Sequence, residues 1–309
     1  MSAVQISEYA YMKNGHSAYS SANGGTEFWN NTYKPYIRTI TFGNDLSNLP
    51  IECTEENLCW DVSHNSSQNK KVYGYLVDSG LVIEETDTST STTTTKPLYN
   101  LYIVSEAPIF APQDCSLFFA GFNSLVNINY NNNFNTSKVT NMSAMFMPAV
   151  PGDWGSIVTL TVNNKNVKPS FIDRKNDGEI EMMISGDGGD EVGFYSVIEK
   201  LDLSNFNTSN VKNMSSMFWN SKATILDVSN FDTSNVKNMN SMFKNATNLK
   251  TIYGSSKFVT TAVTSSTGMF SRCTNLVGGA GTKYDSTKTD KTYARIDGGT
   301  SNPGYFTAK

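Results

Sequence analysis

The chain is poor in the residues that carry acid–base and metal chemistry. Of its 309 residues, two are histidine (His16 and His64) and four are cysteine. Both histidines lie in polar stretches, so no Ser-His-Asp set assembles, and no G-x-x-x-x-G-K phosphate loop occurs. Structural zinc needs tighter Cys/His pairs than Cys53, Cys59, Cys115 and Cys273 offer. No run of 18 apolar residues exists, which excludes a membrane-spanning helix. Charged residues reach only 17%, the net charge is −4, and no basic run is present, which argues against a nucleic-acid surface. The opening MSAVQISEYAYMKNGHSAYSS has no basic segment followed by an apolar one. The expectation is that an export signal has been removed, or that the protein leaves its cell by another route. These absences predict a protein that is not an enzyme and takes no cofactor.

What replaces the missing charge is Asn, Ser and Thr, residues suited to turns, caps and side-chain ladders. Aromatics at 12% still supply material for a core. The dominant pattern is a repeat. Phe206-NTSNVKNMSSM-Phe218 returns 25 residues later as Phe231-DTSNVKNMNSM-Phe243. Phe134-NTSKVTNMSAM-Phe146 precedes these copies, and the eroded Phe258-VTTAVTSSTGM-Phe270 follows. A period in the mid-twenties reads as a stack in which each unit covers its neighbour's apolar face.

In the best unit Leu201 and Leu203 flank Asp202, which predicts a short strand. Phe206 turns inward, and Thr208, Ser209 and Asn210 are candidate helix N-caps. Val211, Met214, Met217 and Phe218 then fall at i, i+3, i+6 and i+7, one face of a short helix. The next unit repeats this with Leu226, Val228, Phe231, Val236, Met239, Met242 and Phe243. Met142 and Met145 before Phe146, and Met269 before Phe270, extend the stripe, and Phe119 marks a degenerate first unit. The methionines could suggest a metal or ligand site, but their spacing favours packing. About five turns result, at Phe119, Phe146, Phe218, Phe243 and Phe270. The fold class this predicts is an α/β, leucine-rich-repeat-like solenoid, with a short strand plus a short helix per turn.

Four segments follow. Residues 1–27 read as an arm or attachment segment. Residues 28–114 read as a β-rich N-terminal cap. There Ile37–Phe42 alternates with period two, Val72–Val77 and Leu81–Ile83 suggest a hairpin around Asp78-Ser79-Gly80, Thr86–Pro97 reads as a loop tip, and Leu98–Val104 as another strand. Residues 115–277 carry the repeats, interrupted at 147–199 by a β insertion with strands at Ile157–Val162 and Glu179–Ile184. Residues 278–309 close the chain. Cys53 and Cys59, six apart in a polar loop, could bridge, whereas Cys115 and Cys273 read as small buried thiols. Asp173 and Asp177 outline a calcium-like loop, with Asp187 and Asp190 nearby. Lys175 and Ile184 stand where an EF-hand needs ligands, so a hairpin turn is the favoured reading and a shared non-EF calcium site the alternative. Asp202 and Asp227 point outward, either lining one face or solvating it.

The repeat LDLSNFNTSNVKNMSSMF resembles the BspA-like leucine-rich-repeat surface proteins. Tyr284-DSTKTDKTYARIDGGTSNPGY-Phe306 is similar to the closing segment of many members. So are IRTITF, the Cys59–Ser63 stretch, and LYIVSEAPIF before the first repeat. The resemblance runs from about residue 28 to 307. It implies surface display and binding or adhesion, with no enzymatic residue to carry over. Because members also occur among bacteriophage proteins, the favoured expectation is a virion component, a fibre or decoration, that presents its surface to a protein or glycan ligand on a host or mucosal surface. The N-terminal arm would then meet other virion proteins, and a homo-oligomer is compatible with that setting. The alternative is a bacterial cell-surface adhesin without its export signal.

Overall fold

The computed structural model describes residues 9–13, 33–65, 67–87, 92–120, 122, 124–147, 158–162, 165–167, 173–174, 180–181, 198 and 201–309. The strands are β1 (Ala10–Tyr11), β2 (Ile37–Gly43), β3 (Cys59–Asp61), β4 (Tyr73–Asp87), β5 (Thr92–Val104), β6 (Ile109–Phe110), β7 (Asn127–Asn129), β8 (Phe134–Asn135), β9 (Val158–Val162), β10 (Lys165–Val167), β11 (Asp173–Arg174), β12 (Ile180–Glu181), β13 (Ile225–Asp227), β14 (Thr251–Gly254) and β15 (Phe306–Ala308). Among the described residues there is no α-helix, only short 3-10 turns such as Lys34–Tyr36 and Lys291–Tyr293.

This corrects the expected fold class. The chain is not an α/β, leucine-rich-repeat-like solenoid of strand-plus-helix turns; its described residues form β-sheets and stacked turns. The reason lies in where the backbone donors go. In an α-helix every N–H returns to the carbonyl four residues back. Here the N–H groups of Met214, Ser216, Phe218 and Asn220 donate instead to the carbonyls of Asn238, Asn240, Met242 and Lys244 in the following unit, at 2.8–2.9 Å. The alternate donors, on Met217, Trp219 and Ser221, bond to the carbonyls three residues back and close four-residue β-turns within the unit. The turns pass through left-handed backbone at Ser216 (φ 54°) and Asn220 (φ 56°), and the next unit repeats this at Ser241 and Asn245. Side chains that compete with helical bonds assist. Asn213 Oδ1 accepts from the Ser215 N–H at 3.0 Å, and Asn238 Oδ1 from Asn240 at 2.9 Å. The spacing i, i+3, i+6, i+7 therefore marks the inward corners of successive turns.

The candidate N-caps serve the stack as well. Thr208 Oγ1 donates to the Asp232 carbonyl at 3.0 Å, and Thr233 Oγ1 to Val259 at 2.6 Å. Asn210 Nδ2 reaches the Ser137 carbonyl and Asn235 Nδ2 the Ser209 carbonyl, each one unit away. Parallel bridges Asp114–Asn141–Asn213–Asn238–Ser265 run through all five units. On another side β13, β14 and β15 form a parallel sheet, while Leu201–Leu203, expected as a strand, pairs with no strand among the described residues.

Inside the stack, five phenylalanine rings lie face to face. Phe119, Phe146, Phe218, Phe243 and Phe270 follow one another at 5.4, 5.9, 5.5 and 5.4 Å, with planes 14° or less apart. Edge-on rings finish both ends: Phe42 meets Phe119 at 89°, and Tyr305 and Phe306 meet Phe270 at 76°. Stacked and edge-on pairs exploit the ring quadrupole beyond simple area burial.

The N-terminal part is a mixed sheet in the order β10-β9-β4-β5-β2-β7, with β3 beside β4. β4 runs unbroken through Asp78-Ser79-Gly80, so the expected hairpin there is instead a bulge, a register shift between Asp78 and Val82 with Gly80 at φ 71°. Thr92–Pro97, expected in a loop tip, pairs with β4 as the start of β5. Threonine is β-branched, and its strand preference prevails over the low complexity of the run. β9 adds to the far end of β4 from within the inserted segment. Part of the predicted N-terminal arm, residues 9–13, forms β1 against β6 and buries Ala10 and Met12. One apolar cluster extends from Ala10 to Phe306 and joins the sheet, the stacked turns and the closing segment.

The closing segment is organised by the Asp297 carboxylate. It accepts from the N–H groups of Ala280, Thr282, Gly299 and Gly304 and from the Thr282 hydroxyl. Gly278 is obligatory beside it, because a Cβ there would lie 2.2 Å from the Gly304 carbonyl and 2.6 Å from the carboxylate.

Candidate functional site

All the repeat-core residues named from sequence enter the packed cluster. Phe134, Leu203, Phe206, Val211, Leu226, Val228, Phe231, Val236 and Phe258 are buried, as are Met142, Met145, Met214, Met217, Met239, Met242 and Met269, while Leu201 is partly buried. The methionine sulfurs line the interior and are withdrawn from solvent. Of the four metal candidates, Asp173 starts β11, and Asp177, Asp187 and Asp190 lie outside the described residues. Among the described residues no three His, Cys, Asp or Glu side chains gather to hold a metal ion. Asp202 and Asp227 accept from the N–H groups of Ser204 and Ser229 at 2.9 and 3.0 Å, so both brace turns, and Asp227 also pairs with Lys309.

Cys53 and Cys59 form a disulfide with Cα atoms 4.7 Å apart. Cys115 and Cys273 are free and buried, and their Sγ atoms contact the carbonyls of Pro112 and Phe243. Burial pushes both thiols upward, Cys273 to about 12, which keeps them protonated and unreactive.

The place where outward side chains converge is a groove of about 570 Å³ between β1, the His64 turn and the first three turn units. Three elements build it. β1 brings Tyr11, whose ring stacks on Phe110 at 5.2 Å and 14°. The His64 N–H donates to the Tyr11 carbonyl at 2.8 Å, which fixes the neighbouring wall. The turn units contribute Gln113, Thr140 and Lys212 at one register position, with Lys138 and Asn210 two residues before it. Lys138 Nζ lies 4.8 Å from the Tyr11 ring centre and 4.5 Å from that of Phe110, and donates to the Tyr11 hydroxyl at 2.8 Å. Met12, Ala111 and Pro112 form an apolar floor. Among the described residues no acid lines the groove, and Lys138 and Lys212 give its lining a positive character on a chain of negative net charge. Sequence reading missed this groove because its walls come from residues near 11, 64, 112, 138 and 211. Only the Lys212/Lys237 recurrence hinted at a cationic column.

Fold and groove together define a β-rich protein of stacked turns that presents a polar, cationic cleft. The chain is similar, over residues 113–156 and 192–301, to a family described as Mycoplasma protein of unknown function, DUF285. That family is known in BspA-related surface proteins, which supports the resemblance of the repeat at this coarse level. The similarity covers the turn units and most of the closing segment, and leaves residues 1–112, with β1 to β6, outside. Comparison with curated proteins and with solved structures gave no match.

Proposed function

We propose that this chain is a non-enzymatic recognition protein displayed on a bacterial surface, where its cleft holds a negatively charged protein or glycan of a host or mucosal surface. The observation that carries this reading is the groove around Lys138 and Lys212, with two cations, several amide and hydroxyl groups, and no acid among the described residues that line it. A cleft of this volume suits part of a polymeric ligand. The Cys53–Cys59 disulfide fits an oxidising compartment outside the cytoplasm. The bacterial name attached to the similar family favours a cell surface over a virion.

Two measurements test this. Antibody against the chain should label intact cells of the source bacterium; labelling of purified phage particles instead would move the display to a virion. The purified protein should bind immobilised acidic glycans or acidic extracellular-matrix protein with salt-sensitive affinity. The double variant Lys138→Gln/Lys212→Gln should weaken that binding at least tenfold without lowering Tm. Equal binding by wild type and variant would remove the groove from the function.

A further inference from the structure

We infer that the occupant of the groove is a linear polysaccharide with an acid group on successive sugars, lying along the axis of the stack and reaching past the groove to Lys237. This rests on the reading of the groove as a binding site, and adds the class of the ligand and the course it takes.

The backbone lays out the track. The Thr264 N–H donates to the Lys237 carbonyl, that of Lys237 to Lys212, that of Lys212 to Thr140, and that of Thr140 to Gln113, at 2.8–2.9 Å. These five residues hold one position on consecutive units, each directly before a member of the parallel bridges that run from Asp114 to Ser265. Side chains at one position of a parallel, in-register ladder leave it on the same side, about 4.8 Å apart. Gln113, Lys212, Lys237 and Thr264 are exposed, and Thr140 is half-buried. Lys138, Asn210 and Asn235, also exposed, form a second row two residues earlier in each unit. The groove takes in both rows as far as Lys212 and Asn210, and Asn235, Lys237 and Thr264 carry them on beyond it.

Three features of the rows select the ligand. First, Lys212 and Lys237 stand on adjacent rungs, and like charges placed opposite one another destabilise a sheet. Among the described residues neither pairs with a carboxylate. The nearby acids Asp114 and Asp232 accept from the N–H groups of Ser116 and Ser234 at 2.9 and 3.0 Å, and so brace turns. A series of anions relieves the repulsion that the fold leaves standing. Secondly, the amides of Asn210 and Asn235 donate to the Ser137 and Ser209 carbonyls at 2.8 and 2.7 Å. Each thereby fixes its nitrogen to the stack and keeps its oxygen as an acceptor, which suits sugar hydroxyls set between the anions. Thirdly, one rung is close to the advance of one pyranose ring in a linear polysaccharide. An extended acidic peptide turns alternate side chains away, so its carboxylates meet a surface only every ~6.7 Å, out of step with the lysines.

The test is calorimetric titration of the full chain with di-, tetra- and hexagalacturonate, with hexaglutamate and neutral maltohexaose as controls. Affinity should rise at least fivefold from the dimer to the hexamer, with both controls at least tenfold weaker than hexagalacturonate. Lys237→Gln, outside the groove, should lower hexagalacturonate affinity about fivefold, with digalacturonate binding and Tm unchanged. Thr264→Lys lengthens the row and should tighten hexagalacturonate at least twofold, an effect that a structural role for this residue would not produce. Lys138→Gln/Lys212→Gln should weaken all three oligomers. The inference is overturned if the hexamer binds no tighter than the dimer, if Lys237→Gln leaves hexamer affinity unchanged, or if hexaglutamate or maltohexaose equals hexagalacturonate. Loss of binding in the double variant together with any of these results would strike the track and keep the groove; full binding by the double variant would strike both.

Discussion

The rings of Phe146 and Phe218, 72 residues apart in the chain, stack at 5.9 Å with 3° between their planes. That is the relationship Phe218 has with Phe243, only 25 residues on, at 5.5 Å and 13°. The unit of Phe146 therefore stacks directly on that of Phe218, with no register step lost between them. Backbone bonds agree, since the Met142 and Ala144 N–H groups donate directly to the Asn213 and Ser215 carbonyls at 2.9 and 2.8 Å.

Phe218 sits at the middle of the ring column, fully buried with partners on both faces. Phe218→Ala removes that ring and leaves a cavity that backbone-bonded units cannot close. The expected cost is about 3–5 kcal/mol, read as a lower urea midpoint at unchanged m-value. Phe218→Leu, which keeps most of the volume, should cost less than half as much. Equal effects would mean that ring geometry, rather than volume, dominates.

The sequence made this column legible and misassigned its backbone. Recurrence of the phenylalanine-bounded block, at steps of 25 or 27 residues with one longer interruption between Phe146 and Phe218, identified every ring in the column, because equivalent apolar positions must stack if each unit covers its neighbour. The helix was misread because inward corners of successive turns repeat with the same spacing as a helical face. The discriminating information, which unit receives each N–H, is non-local and has no signature at Met214 or Ser216. The density of Asn and Ser was the available hint, since these residues favour turns over helix interiors. The groove was invisible for a related reason, since it joins stretches far apart in sequence.

Asp297 ties the closing segment to Ala280, Thr282, Gly299 and Gly304. Burial alone would raise its carboxyl, but the Thr282 hydroxyl and the surrounding N–H donors outweigh burial and hold it at about 2. A carboxyl lowered on folding contributes stability above its unfolded value, near 4, and loses it as pH falls toward 2. Asp297→Asn points an amide N–H at N–H donors and should cost about 2–4 kcal/mol at pH 7. The difference from wild type should shrink between pH 4 and 2, followed by chemical denaturation. A gap that persists at pH 2 would show that the charge is not what the segment uses.

The disulfide-closed loop at Cys53–Cys59 packs against Tyr75, Val104 and neighbouring side chains. Closing so short a loop limits the unfolded chain only modestly, so Cys53→Ser/Cys59→Ser should cost about 2 kcal/mol. Proteolysis at the exposed Glu55-Glu56 bond should accelerate in that variant. Unchanged cleavage there would mean that the local 3-10 turn holds the loop without the bridge.

Lys34 is fully buried, with Nζ 5.5 Å from the Phe122 ring centre, and burial lowers its ammonium to about 7. Above pH 7 the folded chain releases this proton while the unfolded chain, with an ordinary lysine near 10.4, retains it. The unfolded state then binds one proton more, so stability rises with pH, by about 1.4 kcal/mol per pH unit at most. The rise ends near pH 8.5, where Cys115 and Cys273 act in the opposite sense. Their thiols are raised by burial, so the unfolded state loses those protons first and folding weakens. The expected profile is a gain of about 1–2 kcal/mol between pH 7 and 8.5, followed by a decline. Lys34→Met keeps the length and removes the charge. It should flatten the rise and raise the urea midpoint at pH 7 above that of wild type. A wild-type profile flat from pH 7 to 8.5 would mean that the surroundings of Lys34 stabilise its ammonium enough to offset burial.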